Sequence, residues 1–285
     1  MTLAAPTPAD PTPEETKACC AAAYSSDVVA MLLGDSYHPG GLALTRHLAD
    51  QLRLTPGARV LDVATGPGRS ALMFAQEHDS NVCGVDLSPG NVASARAAAA
   101  AAGLEGRVEF TVADAERLPY NAQSFDAVVC ECALCTFPDK AAAAAELARV
   151  LRPGGRVAIS DVTADPAGLP DELCSLAARV ACVADARPLA GYARILVDAG
   201  LEVVLTERHD DAMSRMLEQI EARLNVARMI ARPRAEEVGI DFDRVGPVLD
   251  AARAAVDRGV LGYGLVVAAR PAGGARAGRI AGGRA

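Results

Sequence analysis

Three carboxylates stand at the ends of apolar runs: Asp62 inside Val60–Val63 just ahead of a small-residue turn, Asp86 closing Asn81–Leu87, and Asp114 at the tip of Arg107–Ala113. Acids in such places can take hydrogen bonds from the hydroxyls and amine of a nucleoside. Asp86, 24 positions after Asp62, is placed to accept from both hydroxyls of an adenosine ribose; capping the helix that starts at Ser88-Pro89 is the plainer role. Asp114 can accept from the exocyclic amine of adenine. The other reactive residues are thiols. Cys19-Cys20, the run Cys130, Cys132 and Cys135, and Cys174 and Cys182 are clustered, with Cys83 apart. Thiolates hold soft ions, a C-x-C-x-x-C run can contribute to structural zinc, and free cysteine also serves as a redox sensor or a small buried apolar residue.

What must position these groups is the stretch Val60 to Ala71. Its β-branched residues reach the turn Ala64-Thr65-Gly66-Pro67-Gly68, and the apolar pattern of a helix follows at Leu72, Met73 and Ala75. Glycine lets such a loop bend sharply and approach a ligand, and the helix N-terminus behind it offers unpaired N–H groups. Gly66 to Ala71 fits the G-x-G-x-x-A dinucleotide fingerprint. Asp62-x-Ala64-x-Gly66-x-Gly68 points to a different nucleoside ligand.

The 285 residues, 51% hydrophobic and 4% aromatic, are enough for one large α/β domain. A net charge of −8 argues against a nucleic-acid partner. No apolar run is long enough for a bilayer, and the proline-rich, acidic start does not read as a signal peptide; a cytoplasmic protein is expected. Met1–Pro13, with four prolines, is expected to be a disordered tail. Residues 14–55 read as an N-terminal helical cover, with one helix from Glu14 to a stop at Gly34 and a second over Leu42–Leu54. His38 lies in the turn between them. Strands alternate with helices over residues 56–270, with a helical insertion around 165–200 (Leu169–Ala184 and Pro188–Ala199), then a strand at Leu201–Glu207, helices at Met213–Ile230 and Phe242–Val256, and a last strand at Val260–Ala269. Residues 271–285 read as a flexible tail. Such alternation predicts a parallel sheet with right-handed crossovers and a ligand crevice at the carboxyl ends of strands one and four.

Four ordered segments carry a resemblance. Asp62-x-Ala64-x-Gly66-x-Gly68, Ala113-Asp114-Ala115-Glu116-Arg117-Leu118-Pro119-Tyr120, Ser124-Phe125-Asp126-Ala127-Val128-Val129 and Leu151-Arg152-Pro153-Gly154-Gly155 together resemble class I S-adenosylmethionine (SAM) methyltransferases. The resemblance implies a Rossmann-like, mainly parallel seven-stranded sheet with helices on both faces, and SAM as cofactor. It would place Asp62, Ala64, Gly66 and Gly68 at the methionine end, Asp86 and Leu87 at the ribose, and Asp114 and Ala115 at the adenine, with Cys130 at the tip of strand four beside them.

The stretch Cys132-Ala133-Leu134-Cys135-Thr136-Phe137-Pro138-Asp139-Lys140, followed by Ser160-Asp161-Val162, is similar to arsenite methyltransferases. That similarity implies As(III) held by Cys132 and Cys182, with Cys19 or Cys20 matched by region alone as a third thiol. Arsenic(III) bound by thiolates keeps a lone pair and has no proton to lose, so no general base is required. Thiolates near pH 7 need a pKa below the usual ~8.5, which an acid such as Glu131 opposes. Arsenite is thus the leading small-molecule acceptor. Sulfide, a thiol, or an O, N or C nucleophile with His38 as base remain alternatives, as does a non-catalytic binding module responsive to SAM or metal.

Overall fold

The computed structural model describes residues 12–34, 37–173, 183, 185–230, 232–237 and 241–272. Seven strands form one sheet: β1 (Arg59–Val63), β2 (Asn81–Asp86), β3 (Val108–Val112), β4 (Phe125–Glu131), β5 (Leu151–Ala164), β6 (Glu202–Arg208) and β7 (Leu261–Ala269). Their order is β3-β2-β1-β4-β5-β7-β6. The first five run parallel, and β7 pairs antiparallel with both β5 and β6. Strand order therefore reverses between β1 and β4, where the chains leading away from the two strands diverge and leave a crevice.

Alternation along the strands divides the core. Leu61, Val63, Val85, Val128 and Cys130 join one apolar cluster, whereas Val60, Val82, Ala127 and Val129 join another on the opposite face. The second face is covered by α3 (Gly41–Leu52), α4 (Arg69–Glu77) and α5 (Pro89–Ala101), which bury Leu48, Phe74 and Ala95. The first is covered in part by α6 (Lys140–Val150) and α7 (Leu189–Asp198), through Leu147, Tyr192 and Leu196. Further along come α8 (Asp210–Ile230), α9 (Arg232–Glu237) and α10 (Phe242–Asp257).

The amino-terminal helix expected to run from Glu14 to Gly34 is two helices, α1 (Pro13–Tyr24) and α2 (Asp27–Leu33). Two serines account for the break. The Ser25 hydroxyl donates back to Ala21 O, and the Ser26 side chain accepts from Val29 N at 3.3 Å to cap α2. The expected helix over Leu169–Ala184 lies mostly outside the described residues, which show only a short 3-10 turn at Asp171–Leu173.

Gly84 in β2 is a packing requirement. A Cβ there would stand 2.5 Å from Phe110 Cδ1 and 2.9 Å from Thr65 Oγ1. Phe110 is 4% exposed, so it has no free space to move into. Gly84→Ala is expected to cost about 1–3 kcal/mol, the usual range for overpacking a core, and denaturant unfolding would show it as a lower midpoint.

Candidate functional site

At the carboxyl ends of β1 and β4 the surface opens into a cleft of about 1130 Å³, its mouth included. One wall is the β1–α4 loop, with Asp62, Ala64, Thr65, Gly66, Arg69 and Ser70. The ends of β2 and β3 add Asp86, Leu87, Asn91, Asp114 and Ala115, and the end of β4 adds Glu131, Cys132 and Phe137. Lys17, Cys20 and Tyr24 of α1, with Tyr37 and His38, line the side contributed by the amino-terminal region.

The loop is tightly determined. Ala64 has φ +57°, Gly66 +53° and Gly68 +83°, a left-handed run that glycine enters freely and alanine does not. Thr65 N donates to Val85 O at 2.9 Å, and its hydroxyl donates to Asp62 Oδ2 at 2.6 Å. Gly66 N donates to Asp86 Oδ2 at 2.9 Å, while Asp86 Oδ1 accepts from Ser88 N at 2.8 Å. The acid of β2 thus fixes the loop of β1, and each carboxylate oxygen keeps further acceptor capacity. Gly68 does not line the cleft, contrary to the expectation of ligand contact. A Cβ on it would meet Ala95 Cβ and Phe110 Cζ at 2.9 Å, so it serves the packing of α4 against α5 and β3.

Burial is the largest influence on Asp62, lifting its pKa to about 7; Thr65 opposes the rise, and Glu131 and Asp86 add to it. Burial likewise raises Asp86, opposed by the N–H groups of Ser88 and Gly66. An aspartate raised in the folded state favours folding while protonated. Its contribution is complete below the unfolded value of 3.8 and is lost as pH rises through about 7. Melting temperatures of the ligand-free protein should therefore carry a downward slope over that window that Asp62→Asn removes; parallel profiles for the two proteins would contradict this.

Asp114 Oδ2 accepts from Lys17 Nζ at 2.8 Å and its Oδ1 from Glu116 N at 2.9 Å. Lys17 also pairs with Glu116, so α1 is tied across the mouth to the end of β3. Deeper in, Glu131 accepts from Ser70 Oγ at 2.6 Å and from Thr45 Oγ1 at 3.1 Å, and its Oε1 lies 3.7 Å from His38 Nε2. His38 Nδ1 is 3.2 Å from Pro39 O; a proton on Nδ1 would donate to that carbonyl. This four-residue cluster is the part of the site that sequence reasoning missed. The one available signal was that Glu131 lies two residues from Val129, on the face that α3 and α4 cover.

The thiols are separated more than expected. β4 ends at Glu131, and Cys132 takes φ +52°, so the two-residue period does not carry from Cys130 to Cys132. Cys130 is fully buried in the core, does not line the cleft, and is pushed well above the ordinary thiol range by burial, then by Asp161 and Asp62; it is not placed to touch a cofactor. Cys135 is also buried. Cys20 and Cys132 line the cleft, whereas Cys19 is exposed and does not. Cys182 and Cys174 lie outside the described residues. Among the described residues no three thiols converge.

Residues 61–159 match the family model of a methyltransferase domain. The chain carries a class I SAM-dependent methyltransferase domain. Methyltransferase GfsG of Streptomyces halstedii is 34% identical over 174 residues, 60% of this chain and 62% of that protein. The arsenite methyltransferase of Halobacterium salinarum is 35% identical over 162 residues, 56% of this chain and 41% of that one. The matched region thus spans less than two thirds of either relative. The [4+2]-cyclase SpnF shares the fold with a TM-score of 0.69 at 25% identity, covering 92% of this chain and 98% of that one. The scaffold alone therefore does not fix the chemistry. The donor set of this methyltransferase domain suits its class's cofactor. SAM carries a sulfonium and an ammonium against one carboxylate, and the cleft offers Asp62, Asp86, Asp114 and Glu131 beside Lys17 and Arg69. Among the described residues no helix is long and apolar enough to cross a membrane.

Proposed function

We propose that the protein transfers a methyl group from SAM to a hydroxyl or amine of a small molecule, with His38 taking the acceptor's proton. The observation that carries this reading is the His38–Glu131 pair in the wall of the cleft, 3.7 Å apart. When bound, SAM supplies an electrophilic methyl on a sulfonium that leaves as a neutral thioether. Asp86 would hold the ribose, Asp114 and Ala115 the adenine edge, and Asp62 with the Gly66 turn the methionine end; Asp114 would share its carboxylate with Lys17. A neutral hydroxyl or ammonium must lose a proton as its lone pair attacks. With Nδ1–H donated to Pro39 O, His38 Nε2 is left basic, and Glu131 stabilises the imidazolium that forms. Ser70 and Thr45 hold Glu131 in place. The tyrosines Tyr24 and Tyr37, with Phe137, supply apolar surface for the acceptor and keep water from the reacting atoms.

Cys20 and Cys132 in the same cleft favour a second reading, a soft acceptor such as arsenite held by thiolates. The arsenite methyltransferase relative supports it, and the exposed position of Cys19 weighs against a three-thiol cage. One experiment separates the two. Purified protein is incubated with SAM, reductant, and either arsenite or a panel of small alcohols, phenols and amines, and methylated products are read by mass spectrometry. The first reading expects an O- or N-methyl product that survives Cys132→Ser and is lost in His38→Ala. Methylarsenic formed by wild type and lost in Cys132→Ser establishes the second instead.

A further inference from the structure

The chain has four histidines, and two of them meet on one carboxylate far from the cleft. His47 comes from α3, Glu207 from the end of β6, and His209 from the residue that joins β6 to α8. His47 Nε2 lies 2.6 Å from Glu207 Oε2, and His209 Nε2 lies 3.1 Å from the same oxygen. The three ligand atoms are all within 4.8 Å of one another, and the two rings meet edge to face with centroids 5.6 Å apart. None of the three lines the cleft.

We propose that His47, Glu207 and His209 form a binding site for a divalent transition-metal ion of the zinc class. Two imidazoles and one carboxylate are a donor set for zinc, cobalt or nickel, not for magnesium or calcium, which take oxygen. The spacing fits that coordination. Ligands bound tetrahedrally at ~2.0–2.1 Å lie about 3.3 Å apart, so a slight withdrawal of the carboxylate from the two rings opens room for the ion. Protons on the two Nε2 atoms now occupy its place, both directed at Oε2. The nearest basic group does not compete, because Arg208 is paired with Asp210 at 2.7 Å. The His47, Glu207 and His209 side chains are 41%, 30% and 23% exposed, which leaves an outer face for water as a fourth ligand.

Backbone anchoring makes two of the ligands rigid. His209 N donates to Tyr263 O at 2.7 Å, and Glu207 pairs with Leu265 in the β6–β7 ladder. His47 is held by α3, whose Leu48 is fully buried on the sheet. A bound ion would therefore join α3 to the outer edge of the sheet across 160 positions of sequence. The site lies apart from the reacting groups, so its occupancy acts on the stability of α3, which also carries Thr45.

The test uses the full chain without a histidine tag, thiols kept reduced, titrated with Zn²⁺ alone and with Mg²⁺ as comparison. Calorimetry should show one more zinc site in the wild type than in His47→Gln/His209→Gln, or that site weakened at least about tenfold. Zinc should raise the wild-type melting temperature, as a ligand of the folded state does, and raise it less in the variant. Co²⁺ should give visible d–d absorption that the variant lacks. Glu207→Gln, which keeps both histidines and the shape of the third ligand, is the second variant and should weaken zinc in the same direction. Equal zinc stoichiometry, affinity and thermal shift in wild type and variants, or a wild type that takes up Mg²⁺ as tightly as Zn²⁺, overturns the site.

Discussion

Asp86→Ala is expected to weaken SAM binding on the order of 100-fold. Asp86 is 8% exposed, lines the cleft, and is oriented by Gly66 N and Ser88 N, so its remaining lone pairs face the ligand without further ordering. Hydrogen bonds to an ionised acceptor are worth about 1.5–3 kcal/mol each, and the ribose offers two hydroxyls. A loss of about 2.7 kcal/mol corresponds to that hundredfold change. The substitution also frees two backbone N–H groups that fix the loop, so the melting point should fall. Asp86→Asn, which keeps the shape and drops the charge, should lie between the two. Calorimetric titration with SAM measures all three proteins; a Kd for Asp86→Ala within about threefold of wild type would falsify the ribose assignment.

His38→Ala carries the second large effect. General base catalysis contributes roughly 10²–10⁴-fold to a rate, and kcat for an O- or N-acceptor should fall by about that factor while SAM affinity stays near the wild-type value. The division matters because His38 is also packed against Thr45, with its Nε2 3.4 Å from Thr45 Oγ1. A structural role would disturb binding and melting as much as turnover. His38→Gln preserves much of the packing without supplying a base, so it should be as slow as His38→Ala but more stable. If both variants turn over at the wild-type rate, proton removal belongs to another group or is not needed.

Much of the fold was readable because local and global signals agree. The β-branched runs at Val60–Val63 and Asn81–Asp86 end in turn residues, Ser88-Pro89 starts α5, and the alanine-rich run after it has strong intrinsic helix preference. The antiparallel β7 was legible as a closing apolar strand. The break at Ser25-Ser26 was not, because serine is neutral on pattern and acts through hydrogen bonds to Ala21, Ala22 and Val29. In the site, the acids at strand ends could be located by position alone, since a parallel sheet directs its strand tips to one edge. Gly68 and Cys130 were assigned to the ligand because spacing indicates neither which side of a loop a glycine packs against nor where a strand stops alternating. The grouping of His38, Thr45, Ser70 and Glu131 depends on contacts between elements 61 and 86 positions apart, for which a single sequence carries no period. The same holds for His47 with Glu207.

The ammonium of Lys17, shared between Asp114 and Glu116, bears on the timing of the catalytic cycle. Because this pair bridges the rim beside the expected adenine subsite, exchange of spent nucleoside for fresh involves parting it or threading past α1. Parting two oppositely charged groups is easier at high ionic strength, and movements of this kind commonly limit turnover in enzymes whose chemistry is fast. The helix that shelters the reactive sulfonium from water would thus also govern how soon the demethylated product escapes.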